Sequence, residues 1–381
     1  MPVTYLDNAA TSFPKPESVY QKLDQFARQT LANPGRTSHK MALTAEQEIH
    51  QTRHLLNQLF RGENSDHFVF TLNCTDSLNM AMKGVLKKGD HVITTNLEHN
   101  SISRPLEALK DQGLITLTRV TADAEGTVSV EAVRQAFTPQ TSLVAMTHAS
   151  NVLGTIQPVG EVGALVREKN ALLLVDAAQT AGVIPIDVRE MNIDLLALPG
   201  HKALLGPTGT GVLYSGPRVN LHAWREGGTG GDSMSRLQPE EYPFHMEGGT
   251  PNVLGLAGLR AGIEFVMEKG LSKIASHENA LVEKLIDYLQ KRGDCTLYGH
   301  LDASRRVGTL SFSHPAFDSP DLAAMLDTSF DIAVRPGMHC SPYIHQSLGT
   351  APHGTVRVSP GIFNTEQDID RLTEALSQIL G

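Results

Sequence analysis

A lysine and an aspartate each follow a run of apolar residues in the middle of the chain. Asp176 closes the apolar run of "LLLVDAAQTAG", and Lys202 follows the next one in "LLALPGHKALLGPTGTG". If these runs are neighbouring parallel strands, their carboxyl ends meet at one edge of a sheet, so the two side chains can converge on one ligand. Pyridoxal phosphate needs such a pair: a lysine for a Schiff base and a carboxylate against the pyridinium nitrogen. The pair therefore predicts a site for this cofactor.

Other polar residues at the same predicted edge suit a phosphate and a flat ring. Thr75 in "NCTDSLN" stands where a helix begins, a favourable position for an anion, and His99 in "LEHNS" could stack on the ring. The glycines of "GPTGTG" let backbone approach a ligand, although the stretch lacks the GK[ST] of a phosphate-binding P-loop. Taken singly, an aspartate after a strand is more often a helix cap or turn residue, a GHK sequence is more often a surface turn, and His99 is more often a loop histidine. The prediction depends on their falling, in order, at one edge of one sheet.

The three cysteines differ in their surroundings. Cys74, Cys295 and Cys340 lie far apart with no CxxC or Cys/His spacing, which argues against a disulfide framework and against a structural metal site. Reduced thiols in a cytoplasmic setting are the simplest interpretation. Cys340 lies in "VRPGMHCSP", predicted as a loop without regular helix or strand, where Arg335 and His339 would favour a thiolate. The alternative is a small, inert apolar side chain.

The elements that must position these residues form two patterns. Short apolar runs at 67–72, 91–96, 141–148, 171–178 and 193–200 predict strands, and the segments between them predict helices. This alternation indicates an α/β fold with a largely parallel sheet between helices. After about residue 255, long helical segments and the strands "RVGTLSFS" and "GTVRVS" indicate a smaller α+β unit. We predict a large domain over 17–264 and a small one formed by 1–16 and 265–381.

Charge and hydropathy exclude several classes of protein. The formal net charge is −9 and the charges of both signs are interspersed, so no basic face for nucleic acid or an anionic membrane is predicted. The beginning of the chain, "MPVTYLDNAATSF", shows neither the basic nor the apolar region of a signal peptide. Asp176 interrupts the most apolar stretch, which excludes a membrane span there.

Eight motifs in a fixed order carry a resemblance to a known family. They are "YLDNAATSFPKP", "NPGRTSH", "EHNSISRPL", "HASNVLGTIQP", "VDAAQTAG", "PGHKALLGPTGTG", "EGGTPN" and "RPGMHCSP". Together they resemble the class V aminotransferase family of fold-type I pyridoxal phosphate enzymes, specifically its SufS-like cysteine desulfurase branch. The resemblance covers nearly the whole chain. It implies a fold-type I transferase with a large cofactor-binding domain and a small domain that carries a reactive cysteine.

The resemblance also implies roles for individual residues. Lys202, Cys340 and His99 would be catalytic, with Lys202 attached to the cofactor and Cys340 accepting sulfur. Asp176 would pair with the pyridine nitrogen and Gln179 with the phenolic oxygen. Thr75, Cys74 and His201 would contact the cofactor, Arg357 and Arg36 would contact the substrate, and Asn151 would contact both. In a homodimer, Thr250 would reach the phosphate bound by the neighbouring subunit. One departure is Pro199, where this branch commonly has serine; proline offers neither a hydroxyl nor an N–H, so a rearranged or weaker phosphate cradle is expected.

The function implied is conversion of L-cysteine to L-alanine, with a persulfide on Cys340 that passes to a sulfur-acceptor protein, as in iron–sulfur cluster biogenesis. The alternatives are a selenocysteine lyase, another class V reaction, or a non-catalytic sulfur-assembly scaffold. A transaminase would not need Cys340, and a scaffold would not need Lys202, Asp176 and Arg357 all in place.

Overall fold

A computed structural model describes residues 3–35, 39–229 and 234–381. The strands of this part are β1 (Thr4–Tyr5), β2 (Phe68–Thr71), β3 (Asp90–Thr95), β4 (Ile115–Val120), β5 (Thr141–Thr147), β6 (Leu172–Asp176), β7 (Leu195–Pro199), β8 (Gly211–Ser215), β9 (Thr296–Tyr298), β10 (Leu310–Ser313), β11 (Ile332–Ala333), β12 (Arg335–Gly337) and β13 (Thr355–Val358). The α-helices are α1 (Glu17–Gln29), α2 (Lys40–Phe60), α3 (Cys74–Val85), α4 (Asn100–Asp111), α5 (Val130–Ala136), α6 (Val159–Glu168), α7 (Val253–Lys269), α8 (Leu271–Arg292), α9 (Ser319–Phe330), α10 (Pro342–Leu348) and α11 (Glu366–Leu380).

A seven-stranded sheet forms the centre of the molecule, in the order β2-β8-β7-β6-β5-β3-β4. β3 to β7 are mutually parallel where they pair, and β8 runs antiparallel to both β7 and β2. The five strands predicted from apolar runs are all present, and β4 and β8 are additional. The predicted α/β fold class, with a mostly parallel sheet flanked by helices, is confirmed.

The sheet is buried on both faces because its strands are apolar at successive positions. Alternate residues of β6 and β7 point into different cores: Leu173 and Leu196 pack with α2, α6 and α7 on one face, whereas Leu174 and Leu195 pack with α3 and α4 on the other. Both faces of these strands are therefore covered by helices. Because β3 to β7 run parallel, the polar residues that follow them lie at one edge of the sheet.

The C-terminal part builds a second, antiparallel sheet in the order β12-β13-β10-β9. Its core contains Leu285 of α8, Phe312 of β10 and Leu372 of α11, and it also includes Leu6 from the beginning of the chain. β1 pairs in parallel with β11, so the N-terminal segment joins this part of the molecule. The domain division at residue 264 falls inside α7 and remains a prediction.

The segment around Cys340 is more regular than predicted. Arg335–Gly337 forms β12, which pairs antiparallel with Thr355–Arg357 of β13, and α10 begins at Pro342. The prediction of a stretch without regular structure is wrong in this respect, because β13 offers an edge that the local sequence does not reveal. Within 334–342, Val334 and residues 338–341 lie outside a helix or strand.

The described ranges contain neither a membrane-spanning helix nor a cluster of metal-binding side chains. Within 3–35, 39–229 and 234–381, the helices are too short or too polar to cross a membrane. In the same ranges, no group of three or more His, Cys, Asp or Glu side chains could hold a metal ion.

Candidate active site

A cavity of about 220 Å³ lies at the carboxyl ends of the central strands. Its wall brings together nine of the residues singled out from sequence: Cys74, Thr75, His99, Asn151, Asp176, Gln179, His201, Lys202 and Arg357. Pro199, Arg335 and His339 also line it, whereas Cys340 and Thr250 do not. Arg36 lies outside the described residues.

Lys202 and Asp176 face the same cavity because β6 and β7 are neighbours in the sheet. Asp176 is the last residue of β6, in register with Ala197 of β7, and Lys202 follows β7 after a short turn. Burial raises the pKa of Asp176 and lowers the pKa of Lys202, while the charge of each opposes the shift of the other. Burial therefore favours an amine at Lys202 that gives up its proton more readily than an exposed lysine.

The carboxylate of Asp176 is held from one side. Its Oδ1 accepts the N–H of Ala178 at 2.9 Å and the thiol of Cys74 at 3.6 Å, while Oδ2 has no partner among the described residues. Burial, together with the nearby Asp176, raises the pKa of Cys74 well above its ordinary value. Cys74 is therefore a neutral S–H donor, and the free oxygen of Asp176 is available to a group in the cavity.

Thr75 lies in the first turn of α3, whose N-cap is Asn73. The Asn73 side chain accepts the N–H of Asp76 at 3.0 Å, and the hydroxyl of Thr75 lies 2.7 Å from that of Ser101. A helix start with free N–H groups and a hydroxyl suits an anion. Ser101, which sequence reasoning did not single out, belongs to the same "EHNS" motif as His99 and could have been found there.

His99 is the N-cap of α4 and carries a neutral ring. Its Nδ1 accepts the N–H of Ser101 at 3.1 Å and lies 2.8 Å from the Ser101 hydroxyl. Burial, with a further contribution from the charge of Lys202, lowers the pKa of His99 to about 4. A flat, uncharged ring therefore faces the cavity at neutral pH.

His201 is fixed by the N-terminal segment. Its Nδ1 lies 3.1 Å from the Thr11 hydroxyl, and its carbonyl accepts the ammonium of Lys15 at 2.7 Å. Burial lowers the pKa of His201 to about 4, so the ring is neutral near pH 7. Pro199 precedes this turn as the last residue of β7, in register with Gly211 of β8, and lines the cavity without any N–H to donate.

Arg357 is the main buried cation of the wall, and its partner was not predicted. The residue is 1% exposed; one terminal nitrogen bonds Asp7 at 2.7 Å and the other donates to the carbonyl of Asn151 at 3.0 Å. Nε has no partner among the described residues. The two bonds fix the plane of the guanidinium. Asp7 lies in the quoted motif "YLDNAATSFPKP", but 350 positions from Arg357, so spacing gives no signal of the pair.

Asn151 bonds the segment that carries Cys340. Its Nδ2 donates to the carbonyl of His339 at 2.7 Å, and its Oδ1 accepts the hydroxyl of Ser341 at 2.7 Å. Both ends of the amide are engaged, one on each side of Cys340. Ser341 was not singled out from sequence, because only the fold brings it to Asn151.

Cys340 is exposed and lies just outside the cavity wall. A terminal nitrogen of Arg335 lies 3.9 Å from its Sγ, and the N–H of Asn100 donates to its carbonyl at 2.7 Å. His339 is buried, and burial lowers its pKa to about 2, so the ring is neutral. Arg335 and His339 were expected to bring positive charge or a proton acceptor to the sulfur; Arg335 brings positive charge, and the neutral His339 brings none.

Thr250 is exposed and lines a separate depression of about 700 Å³. Arg53 and Glu247 line the same depression and form a salt bridge at 2.8 Å. Within one chain, Thr250 therefore does not reach the cavity that holds Lys202. Its expected contact with a neighbouring subunit remains a prediction.

A lysine and a buried carboxylate at the end of a mostly parallel sheet, with a second sheet supplying an arginine, are the arrangement of a fold-type I enzyme. The chain belongs to the class-V aminotransferase family, whose sequence profile matches residues 4–372. The predicted family is thereby confirmed.

Several relatives match along the full length. A probable cysteine desulfurase of Methanothermobacter thermautotrophicus is 35% identical over 99% of this chain and 94% of its own. A cysteine desulfurase of Salmonella newport is 31% identical over 100% and 94%. Among solved structures, the apo cysteine desulfurase of Thermococcus onnurineus NA1 has a TM-score of 0.94 at 32% identity, covering 99% of this chain and 94% of that one. The Escherichia coli cysteine desulfurase CsdA, in an S-sulfonic acid form, has a TM-score of 0.90 at 28% identity, with coverage of 99% and 94%.

Proposed function

We propose that this protein is a pyridoxal phosphate-dependent cysteine desulfurase, which converts L-cysteine to L-alanine and leaves a persulfide on Cys340. One observation carries the proposal. Lys202 and Asp176 share a buried cavity whose wall includes His339, the residue that precedes the exposed thiol of Cys340. The desulfurase names of full-length relatives support the same assignment.

The residues of the cavity fit the proposed cofactor. Asp176 is 3% exposed and keeps one oxygen free, which suits a protonated ring nitrogen. The neutral ring of His99 can stack on a pyridine ring, and Thr75 at the start of α3 can hold a phosphate with help from His201. Pro199 contributes no donor, so this phosphate site has fewer hydrogen bonds than one with serine at that position.

The cavity also fits an amino acid substrate. Arg357, whose Nε has no partner in the described ranges, would bind the α-carboxylate, with the second hydrogen of the Asn151 Nδ2 as a further donor. When bound, pyridoxal phosphate supplies an aldehyde that captures the substrate amine and a ring that withdraws electrons from its Cα. Lys202 then removes the Cα proton, a role that its lowered pKa favours.

Sulfur transfer requires the thiol of Cys340. Its sulfur attacks the substrate sulfur as a thiolate, so an S–S bond forms while the substrate C–S bond breaks. The electron pair of the broken bond stays on the substrate carbon, which takes up a proton and becomes the methyl group of alanine. Because Cys340 is exposed, an acceptor protein or a reductant can reach the persulfide.

A homodimer completes the proposal. Thr250 is exposed and lines a depression separate from its own chain's cavity, which suits a contact to the phosphate bound by a neighbouring subunit. The large and small domains over 17–264 and over 1–16 with 265–381 would then each contribute to the active site. A reducing compartment such as the cytoplasm would keep the three thiols free.

The cofactor assignment is tested by borohydride reduction of the protein loaded with pyridoxal phosphate, followed by peptide mass mapping. The cofactor should become fixed to the peptide that contains Lys202, and Lys202→Ala should show no fixed cofactor. Lys273→Ala, on the exposed side of α8, serves as the control and should load normally. If peptide mapping finds no fixed cofactor on the wild-type protein, the proposal is wrong.

The sulfur step is tested by measuring alanine from L-cysteine. Cys340→Ser should still show the absorbance change of substrate binding but should form alanine at below one hundredth of the wild-type rate, because no thiol accepts the sulfur. Cys295→Ser should keep the wild-type rate. Wild-type alanine formation by Cys340→Ser would show that the thiol is structural. A wild-type preference for selenocysteine over cysteine would instead favour the lyase alternative.

A further inference from the structure

Cys340 lies in a turn whose backbone is unusual for side-chain-bearing residues. His339 and Cys340 adopt φ values of 47° and 60°, both in the left-handed region that non-glycine residues seldom occupy. Two such residues in succession are unfavourable on their own, because Cβ approaches the following carbonyl oxygen. Surrounding contacts must therefore maintain this conformation.

Four hydrogen bonds hold the turn. Asn151 donates to the carbonyl of His339 and accepts the hydroxyl of Ser341, each at 2.7 Å. The N–H of Asn100 donates to the carbonyl of Cys340 at 2.7 Å, and the N–H of Ser341 donates to the carbonyl of Met338 at 2.9 Å. Asn151 thus bridges the residues on either side of the thiol.

The hydroxyl of Ser341 sets the orientation of that bridge. Ser341 is 0% exposed, so its hydroxyl needs a partner within the protein, and Asn151 Oδ1 is that partner. With Oδ1 turned to Ser341, the amide must present Nδ2 to the carbonyl of His339. Without the hydroxyl, Oδ1 would lose its donor and the amide would be held only by the bond from Nδ2 to the carbonyl of His339.

We propose that Ser341 is a positioning residue for Cys340: through the Asn151 amide it maintains the left-handed turn that places the thiol beside the cavity. The inference rests on the proposed function, in which the Cys340 thiol accepts sulfur. Asn151 lines the cavity and keeps one hydrogen of Nδ2 for a ligand. The group that meets the ligand therefore also holds the turn that carries the nucleophile.

Such a bridge matters for rate more than for binding. A nucleophile must be within near-attack distance of its target, and a misplacement of about 1 Å can cost about a hundredfold in rate. The hydrogen bonds of Arg357, which would bind the substrate carboxylate, go to Asp7 and to the carbonyl of Asn151 and not to Ser341 in the described ranges. Removing the hydroxyl should therefore affect sulfur transfer while substrate binding stays close to normal.

Hydrogen exchange tests the bridge directly, without any use of activity. In the wild-type protein the N–H groups of Ser341 and Asn100 should exchange slowly, because each donates to a carbonyl of the turn. Ser341→Ala should accelerate exchange in peptides covering 334–342 by at least fivefold, while peptides of the central sheet stay unchanged. Ser347→Ala is the control: its exposed hydroxyl donates to the carbonyl of Tyr343 in the next helix, outside the turn.

Kinetics supply the second readout. Ser341→Ala should lower kcat for alanine formation at least tenfold and change KM less than twofold, and Ser341→Thr, which keeps a hydroxyl, should recover much of the loss. Unchanged exchange at 334–342, in a variant with wild-type kcat, would overturn the proposal. Rapid exchange of both amides in the wild type would overturn it even if the alanine variant failed to fold. If the wild type forms no alanine at all, the proposed function fails, yet the exchange result still decides whether Ser341 holds the turn.

Discussion

Replacing Glu278 by glutamine should stabilise the protein above pH 6. Glu278 of α8 is 8% exposed and has neither a hydrogen bond nor an ion pair with any residue in the described ranges. It borders a cavity of about 50 Å³, and its own Cβ would lie 2.8 Å from a Cβ at Gly308, so glycine there leaves room for the Glu278 side chain. A buried carboxyl without a partner is held in its neutral form.

The size of the effect follows from the shift. Burial raises the pKa of Glu278 from its ordinary 4.5 to about 8. The folded state therefore binds the proton more tightly than the unfolded state, and this stabilisation is complete below pH 4.5 and is lost as pH rises through 8. At 1.36 kcal/mol per pH unit, the free energy of unfolding falls by about 3 kcal/mol at pH 7, and the fall levels off at about 5 kcal/mol above pH 8. Glutamine resembles the neutral acid in shape and does not ionise.

Urea unfolding at pH 5, 7 and 9 measures the difference. The free energies of unfolding of Glu278→Gln and the wild type should differ by about 1 kcal/mol or less at pH 5, and the variant should be more stable by about 3 kcal/mol at pH 7. Glu283→Gln, an exposed position on the same helix, serves as the control and should show no pH-dependent gain. A pH-independent difference for Glu278→Gln would refute the account, since it would show that the carboxyl is ionised throughout.

Two further predictions concern the active site. Asp7→Asn removes the carboxylate that holds Arg357 at 2.7 Å, so KM for L-cysteine should rise about tenfold, which corresponds to about 1.4 kcal/mol; an unchanged KM would mean that Asp7 does not orient the guanidinium. Iodoacetamide at pH 8 should label Cys340 first, because burial raises the pKa of Cys74 well above its ordinary value and that of Cys295 to about 11. Faster labelling of Cys74 or Cys295, read from peptide masses, would contradict this order.

Local sequence was sufficient for most of the central sheet. Strands such as β6 and β7 are continuous apolar runs because both faces are covered, and that pattern is readable without a structure. β4 is an edge strand that is fully buried only at its first and last residues, and β8 follows a glycine-rich loop as an antiparallel partner, so neither gave the expected signal. β12 depends on an edge supplied by β13, which no local pattern encodes.

The sequence by itself determined the chemical groups of the site and their order. Asp176 and Lys202 could be paired in advance because each follows a strand, and the ends of parallel strands converge. Only the tertiary structure decided which partners hold the other groups of the site, such as Arg357 and Asn151. Asp7 meets Arg357 across 350 positions, and Ser341 meets Asn151 across 190. Hydrogen bonds of this range arise where separate elements pack, so spacing along the chain carries no record of them, and the placement of Cys340 beside the cavity follows from them.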